Sequence, residues 1–122
     1  MSESTVLHAG NCGPDTWALE GLLKDLGVNE ISAAETAAEV EQLLKQRTFT
    51  LVLLNRVFDS TGELALDVLR QLPAEKRACC MLISNYPDAH QSAVALGARA
   101  GFGKQQLRDP KTRALLQEAL AK

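Results

Sequence analysis

Two hydrophobic rhythms alternate along this chain. Thr5–Ala9, Leu51-Val52-Leu53-Leu54 and Cys79–Ser84 are compact apolar runs, without the strict alternation of a half-exposed strand. Runs of that kind read as strands buried on both faces, the habit of a parallel sheet. Between them apolar residues recur every three or four positions. Ala18, Leu19, Leu22, Leu23 and Leu26 form one stripe, and Ala37, Val40, Leu43 and Leu44 a second. A third uses Leu64, Ala65, Val68, Leu69 and Leu72 within a helix predicted over Gly62–Leu72. Each is the inner face of an amphipathic helix.

Local signals punctuate these segments. Pro14 sits in the first turn of the first helix and Gly27 ends it; Pro73 closes the third. Val28–Ser32 reads as a short edge strand, Asp88–Leu96 as a helix ending at Gly97, and Ala98–Phe102 as a weak strand. Asp109 as N-cap and Pro110 at the first helical position open a last helix through Ala121. Strand and helix thus alternate through five units, which predicts an α/β protein with helices on both faces of a parallel sheet. In such sheets the functional crevice lies beyond the carboxyl ends of the strands. The residues delivered there are Gly10, Asn11 and Cys12 from the first strand, Asn55 from the third, Ser84 from the fourth and Lys104 from the fifth.

Composition narrows the class. A chain of 122 residues with 46% hydrophobic content suits one domain over residues 1–122. The net charge of −2 gives no general attraction to nucleic acid or membrane. With no run of eighteen apolar residues and no charged-then-apolar leader, a soluble cytoplasmic protein is expected. The cysteines, Cys12, Cys79 and Cys80, are odd in number and do not suit a secreted disulfide framework. No Cys/His spacing suits zinc, and His8 reads as a packed or half-exposed strand residue rather than a ligand.

Charge is uneven. Residues 1–45 carry eight acids against Lys24 and Lys45, whereas residues 97–122 carry Arg99, Lys104, Arg108, Lys111, Arg113 and Lys122 against Asp109 and Glu118. Either these are two solvated faces, or the basic C-terminal face, with Arg99, Arg108, Lys111 and Arg113 as contributors, meets an acidic partner.

The stretches LVLLNRVFDSTGELALDVLRQL and MLISNYPDAHQSAVALGARAGFGK, with the five βα units, resemble the receiver domain of bacterial two-component response regulators. The hydroxyl of Ser84, the Gly97-Ala98 pair and Lys104 at the close of the fifth strand carry most of that resemblance. It implies a flavodoxin-like three-layer fold with strand order 2-1-3-4-5. It also implies a phospho-acceptor aspartate at the end of the third strand and two acids after the first that hold magnesium. A carboxylate is the nucleophile there, and a divalent cation offsets charge on the phosphoryl oxygens.

This chain keeps the frame and departs at the chemistry. Asn55 stands at the acceptor position, and Gly10 and Asn11 stand where the acid pair falls. Gly101 takes the place of the switch aromatic, with Phe102 read as core, and Gln105 follows the lysine where proline is usual. Gly10, Asn11, Asn55, Ser84 and Lys104 are therefore expected to form a degenerate phospho-acceptor pocket without metal or cofactor. Restoring carboxylates at positions 10, 11 and 55 together is expected to recover magnesium binding. The nearby acids Asp15 and Asp59 are not expected at a strand end facing Lys104, and Lys104 is left to point to solvent or to donate to Asn55.

The function implied is a phosphorylation-independent signalling and interaction module, not an enzyme. Its output would pass to a protein partner or a second copy of the chain, not directly to nucleic acid or membrane. The alternative is a thiol-dependent phosphocarrier or phosphatase-like enzyme using Cys12, which lies in GNCGPDT at a helix start that favours anions. Against it, the position six residues after Cys12 is Ala18 rather than the arginine of phosphatases, while Pro14 removes an N–H donor and Asp15 repels phosphate.

Overall fold

A computed structural model of the protein describes residues 4–121. Its strands are β1 (Thr5–Ala9), β2 (Glu30–Ala34), β3 (Leu51–Asn55), β4 (Cys80–Ile83) and β5 (Arg99–Phe102). All pair in parallel in the order β2-β1-β3-β4-β5, with a register irregularity between Met81 and Ile83 where β4 meets β5. The helices are α1 (Gly13–Asp25), α2 (Ala37–Gln46), α3 (Ala65–Gln71), a single turn α4 (Ala74–Arg77), α5 (Pro87–Ala95) and α6 (Pro110–Leu120), with a 3₁₀ turn over Lys104–Gln106. This is the parallel sheet with helices on both faces expected from the alternation, in the flavodoxin-like strand order that the resemblance implies. Among the described residues no helix is long and apolar enough to cross a membrane.

The central strand shows why its run is unbroken. Every residue of β3 is buried. Val52 and Leu54 join Leu7, Val40, Leu44, Val68, Leu69 and Leu82 in the core under α2, α3 and α5. Leu51 and Leu53 join Val6, Leu19, Leu23, Met81 and Leu116 in the core under α1 and α6. Burying each such side chain stabilises the fold by about 1.5–3 kcal/mol. His8 faces α1 and is 2% exposed, and its Nε2 lies 2.8 Å from Glu20 Oε2, so the strand histidine is packed and satisfied.

Several boundaries differ from the periodic pattern. β2 begins and ends two residues later than Val28–Ser32, because the N–H groups of Asn29 and Glu30 both donate to Ser4 O and the strand runs on until Ala34 O accepts from Gly10 N. α3 starts at Ala65 rather than Gly62. Gly62 has φ +76, Phe58 N donates to Glu63 O, and Val57 pairs with Leu64 in an antiparallel bridge, so residues 62–64 belong to a loop folded against the end of β3. Glu63 Oε1 also accepts from Ala37 N and so ties that loop to the start of α2.

The turn α4 was not signalled by periodicity, and its function is to present Arg77. That guanidinium donates to the carbonyls of Leu72 (2.8 Å), Arg70 (2.9 Å) and Leu96 (3.3 Å), satisfying the unpaired ends of α3 and α5. Replacing Arg77 by alanine strands these acceptors and is expected to destabilise the fold by roughly 1–3 kcal/mol, read as a lower urea midpoint with unchanged slope.

Candidate functional site

The carboxyl ends of β1, β3, β4 and β5 meet at one edge. Gly10 leaves β1 with φ +80, and a Cβ there would stand 2.5 Å from Phe58 Cδ1 and 2.7 Å from Cγ. The ring of Phe58, fully buried, thus occupies the space that a side chain at position 10 would need. The Gly10 carbonyl turns inward and accepts from Asp59 N at 2.9 Å and from Asn55 Nδ2 at 2.8 Å.

Asn55 is 4% exposed, and its Nδ2 also donates to Val57 O at 2.8 Å. Both amide protons are therefore spent on buried backbone carbonyls, one in the β1 loop and one in the loop after β3. A carboxylate in the same place has no proton to give and would set negative charge against two carbonyl oxygens. The asparagine acts as a clamp between loops.

Lys104 neither points free to solvent nor bonds Asn55. Its Nζ pairs with Asp15 Oδ2 at 3.0 Å, across from the first turn of α1. This corrects the expectation that no acid faces Lys104: α1 packs so that the acid of its first turn reaches over the end of the sheet. Partial burial opposes ionisation of Asp15, but hydrogen bonds from Lys104 and from the Cys12 thiol, with the lysine's charge, outweigh it and hold the carboxyl below its ordinary value. Asn11 lies beside this pair, its Nδ2 buried without a hydrogen-bond partner.

Ser84, buried at the end of β4, accepts from Tyr86 N through Oγ at 3.0 Å. Its carbonyl lies 2.6 Å from His90 Nε2. His90 also covers Gly101, where a Cβ would be 1.9 Å from Leu82 O and 3.1 Å from His90 Cε1. No side chain, aromatic least of all, fits at position 101. Phe102 is packed in the core under α1 and α6.

Asn55, Ser84 and Lys104 are brought together around an open crevice of about 160 Å³, with Arg56 and Tyr86 at its mouth. The Arg56 guanidinium stands 4.5 Å from the centre of the Tyr86 ring, itself 59% exposed. Sequence reasoning missed both. The only signal was an arginine directly after a buried strand and a tyrosine two residues after Ser84.

No protein-family profile and no curated protein sequence matches the chain. Solved structures do. A response regulator described as putative, from Chloroflexus aurantiacus, aligns over 99% of this chain and 100% of its own, at TM-score 0.78 and 17% identity. The chain has the receiver-domain fold. The receiver domain of NtrX from Brucella abortus aligns over 96% and 98% of the two chains at 0.76 and 19% identity. The beryllofluoride-activated NtrC4 receiver domain dimer aligns over 96% of each at 0.76 and 16%.

The magnesium ion implied by the resemblance does not fit the donors that this receiver fold presents. Gly10 is neutral and sterically closed, Asn55 offers its protons to carbonyls, and Asp15 is already paired with Lys104. Hard divalent cations need carboxylate charge, and among the described residues no three His, Cys, Asp or Glu side chains are grouped to hold a metal ion. The expected rescue by carboxylates at positions 10, 11 and 55 is also closed off, because an aspartate at position 10 would combine a strained φ with overlap against Phe58.

Cys12 is the N-cap residue of α1, but its side chain makes no cap hydrogen bond. Asp15, in the first turn of the same helix, sets negative charge beside Cys12 that disfavours a phosphate ligand there, so the thiol enzyme is not favoured. The basic residues do not make one patch. Arg108 and Arg113 line a groove of about 660 Å³ between α1 and α6 beside Trp17, which is 80% exposed. Arg113 is paired there with Asp25 at 2.7 Å. Lys111 is exposed on the first turn of α6, Arg99 is half-buried at the opposite end of β5, and Lys122 lies outside the described residues.

Two outcomes follow from this geometry. Asn55→Asp removes both donors, so the variant should lose roughly 1–3 kcal/mol in denaturant titration. Its buried carboxyl takes a raised folded pKa, so the loss is smallest below the ordinary carboxylate value and grows as pH rises through the folded one. Asp15→Asn should cost only about 0.2–1 kcal/mol, because the pair is partly exposed. Asp15 has the opposite sign: its depressed folded pKa means that the difference from wild type is present at neutral pH and disappears as pH falls below the ordinary value near 3.8.

Proposed function

We propose that residues 1–122 act as a single receiver-like domain, a phosphorylation-independent signalling and protein-interaction module of the two-component type. It works in the cytoplasm and is a binding module rather than an enzyme. The observation that carries this reading is that Asn55 and Lys104, which face the crevice, are both taken up by partners within the protein. Both Asn55 amide protons are on the carbonyls of Gly10 and Val57, and the Lys104 ammonium is on Asp15. An arriving phosphoryl group would meet no carboxylate nucleophile at the end of β3. Its oxygens would have to displace Asp15 to reach the lysine. Gly10, Asn11, Asn55, Ser84 and Lys104 are on this reading a degenerate phospho-acceptor pocket, kept for its architecture.

The conformational side is consistent. Ser84 is held between Tyr86 N and His90, and Gly101 leaves no room for a reporting aromatic. A two-state switch needs a ligand with different affinity for two arrangements, and this pocket has neither the ligand chemistry nor the moving side chain. The module holds one conformation and binds a protein partner, or a second copy of itself, constitutively. The NtrC4 receiver domain named above is a dimer in its beryllofluoride-activated form, which makes self-association one form of output open to this fold.

The test is to add magnesium with acetyl phosphate, and separately with beryllofluoride, to the purified protein. The expected result is no phosphoryl adduct by intact mass and an unchanged amide NMR spectrum. A stable adduct mapped to Asp15 or Asp59 would overturn the reading. The exposed bases beside the start of α6, Arg108 and Lys111, supply a second test. Arg113 is already held by Asp25, so Arg108→Glu with Lys111→Glu is the informative pair. Association with an acidic partner recovered by cross-linking should slow roughly tenfold at low salt, and the effect should fade as salt rises. Arg99 and Arg113 are predicted to contribute less.

A further inference from the structure

At the end of the sheet opposite the crevice, the turn α4 leads into β4 through two adjacent cysteines. In a regular strand neighbouring side chains point to opposite faces, but Cys79 lies in the turn and only Cys80 in the strand. Their thiols consequently converge. Cys79 Sγ donates to Lys76 O at 3.2 Å and Cys80 Sγ donates to the same oxygen at 3.3 Å. Cys79 is half-buried and open to small molecules, and Cys80 is buried behind it. Cys12, by contrast, follows the carboxyl end of β1 and so stands at the far edge of the parallel sheet.

We infer that Cys79 and Cys80 form a peroxide-sensitive dithiol, a site of reversible oxidative modification in which Cys79 is the attacking thiol and Cys80 the resolving one. Once Cys79 is a thiolate, the Cys80 S–H can turn to it from Lys76 O and favour that charge; burial opposes it, and the nearby Lys76 charge adds to the stabilisation, leaving Cys79 lowered to about 7. The same contact and its own burial push Cys80 up, which keeps its proton in place. One thiol is thus prepared as nucleophile and the other as proton-bearing partner.

The reaction balances with a hydroperoxide as oxidant. The Cys79 thiolate attacks the distal peroxide oxygen; an S–O bond forms, the O–O bond breaks, and the departing alkoxide or hydroxide takes a proton from water. The Cys80 sulfur then attacks the sulfenic sulfur. An S–S bond forms, the S–O bond breaks, and the hydroxyl leaves with the Cys80 proton as water. Two thiols are oxidised by two electrons and one peroxide is reduced. Adjacent Cα atoms are about 3.8 Å apart, closer than an unstrained disulfide prefers, so the product is easily reduced again. Forming it removes both S–H donors from Lys76 O, at the junction where Cys79 O accepts from Val52 N of β3.

The experiment treats the protein with dilute hydrogen peroxide, blocks free thiols, and maps the fragments. Trypsin places Cys79 and Cys80 on the fragment Ala78–Arg99 and Cys12 on one ending at Lys24. The expected result is loss of two hydrogens on the first fragment, restored by a reductant, while Cys12 is still alkylated. Cys80→Ser should leave a sulfenic acid at Cys79 that dimedone traps, and Cys79→Ser should leave Cys80 unoxidised at the same dose. Iodoacetamide labelling of Cys79 in unoxidised protein should rise about tenfold from roughly pH 6 to pH 9, as a thiol near 7 requires. Prior oxidation of Cys12, disulfide-linked dimers through Cys79, or wild-type protein that stops at an unresolved sulfenic or sulfinic acid would each overturn the inference. The wild-type map decides even if a variant folds poorly.

Discussion

A buried carbonyl needs a donor, and at the carboxyl edge of this sheet one amide supplies two of them. Asn55 joins the β1 loop at Gly10 to the loop after β3 at Val57. Much of the local structure depends on that clamp. With the Gly10 carbonyl turned inward, Asp59 N also reaches it, the loop closes, and Phe58 settles over the Cα of Gly10. An unmet carbonyl there would cost about 1–3 kcal/mol, a large fraction of the stability of a small domain. The asparagine is therefore selected by backbone satisfaction, whatever its ancestry. A carboxylate would suit a metal-filled edge, and an amide suits one closed by its own main chain.

The Asp15–Lys104 pair plays a different part. Both side chains are more than a third exposed, so screening keeps the pair's contribution to stability small. Its importance lies in occupancy. The single ammonium at the end of β5 already has a counter-charge, delivered by a helix that packs on the opposite core from α5. Together with the steric closure at Gly10, this leaves the end of β5 and the β1 loop occupied by the protein's own groups.

The sequence reveals the frame more readily than the site, for a physical reason. The central run Leu51–Leu54, the cap at Asp109-Pro110 and the stop at Pro73 are local signals, and the sheet order follows from them together with the receiver resemblance. β2 and the start of α3 were displaced because backbone hydrogen bonds to the Ser4 and Glu63 carbonyls, not side-chain periodicity, set those boundaries. The strand-end residues were legible as a group, since topology alone delivers Gly10, Asn55, Ser84 and Lys104 to one edge. Their partners were not. Asp15 meets Lys104 only through the orientation of α1, and Phe58 closes on Gly10 only because the following loop folds back. Nothing in the spacing of residues so far apart encodes either contact.

Gly101 shows how the same sequence feature changes meaning once packing is known. In the linear reading it is a missing aromatic, a deletion of function. In the structure it is a positive requirement: the irregular register between β4 and β5 brings the Leu82 carbonyl to 1.9 Å from any Cβ at this position, and the His90 ring lies just beyond. Restoring an aromatic would force β5 away from β4 and break the contact between His90 and the Ser84 carbonyl. The histidine that holds Ser84 in place also fills the side of β5 against which a moving ring would have to pack.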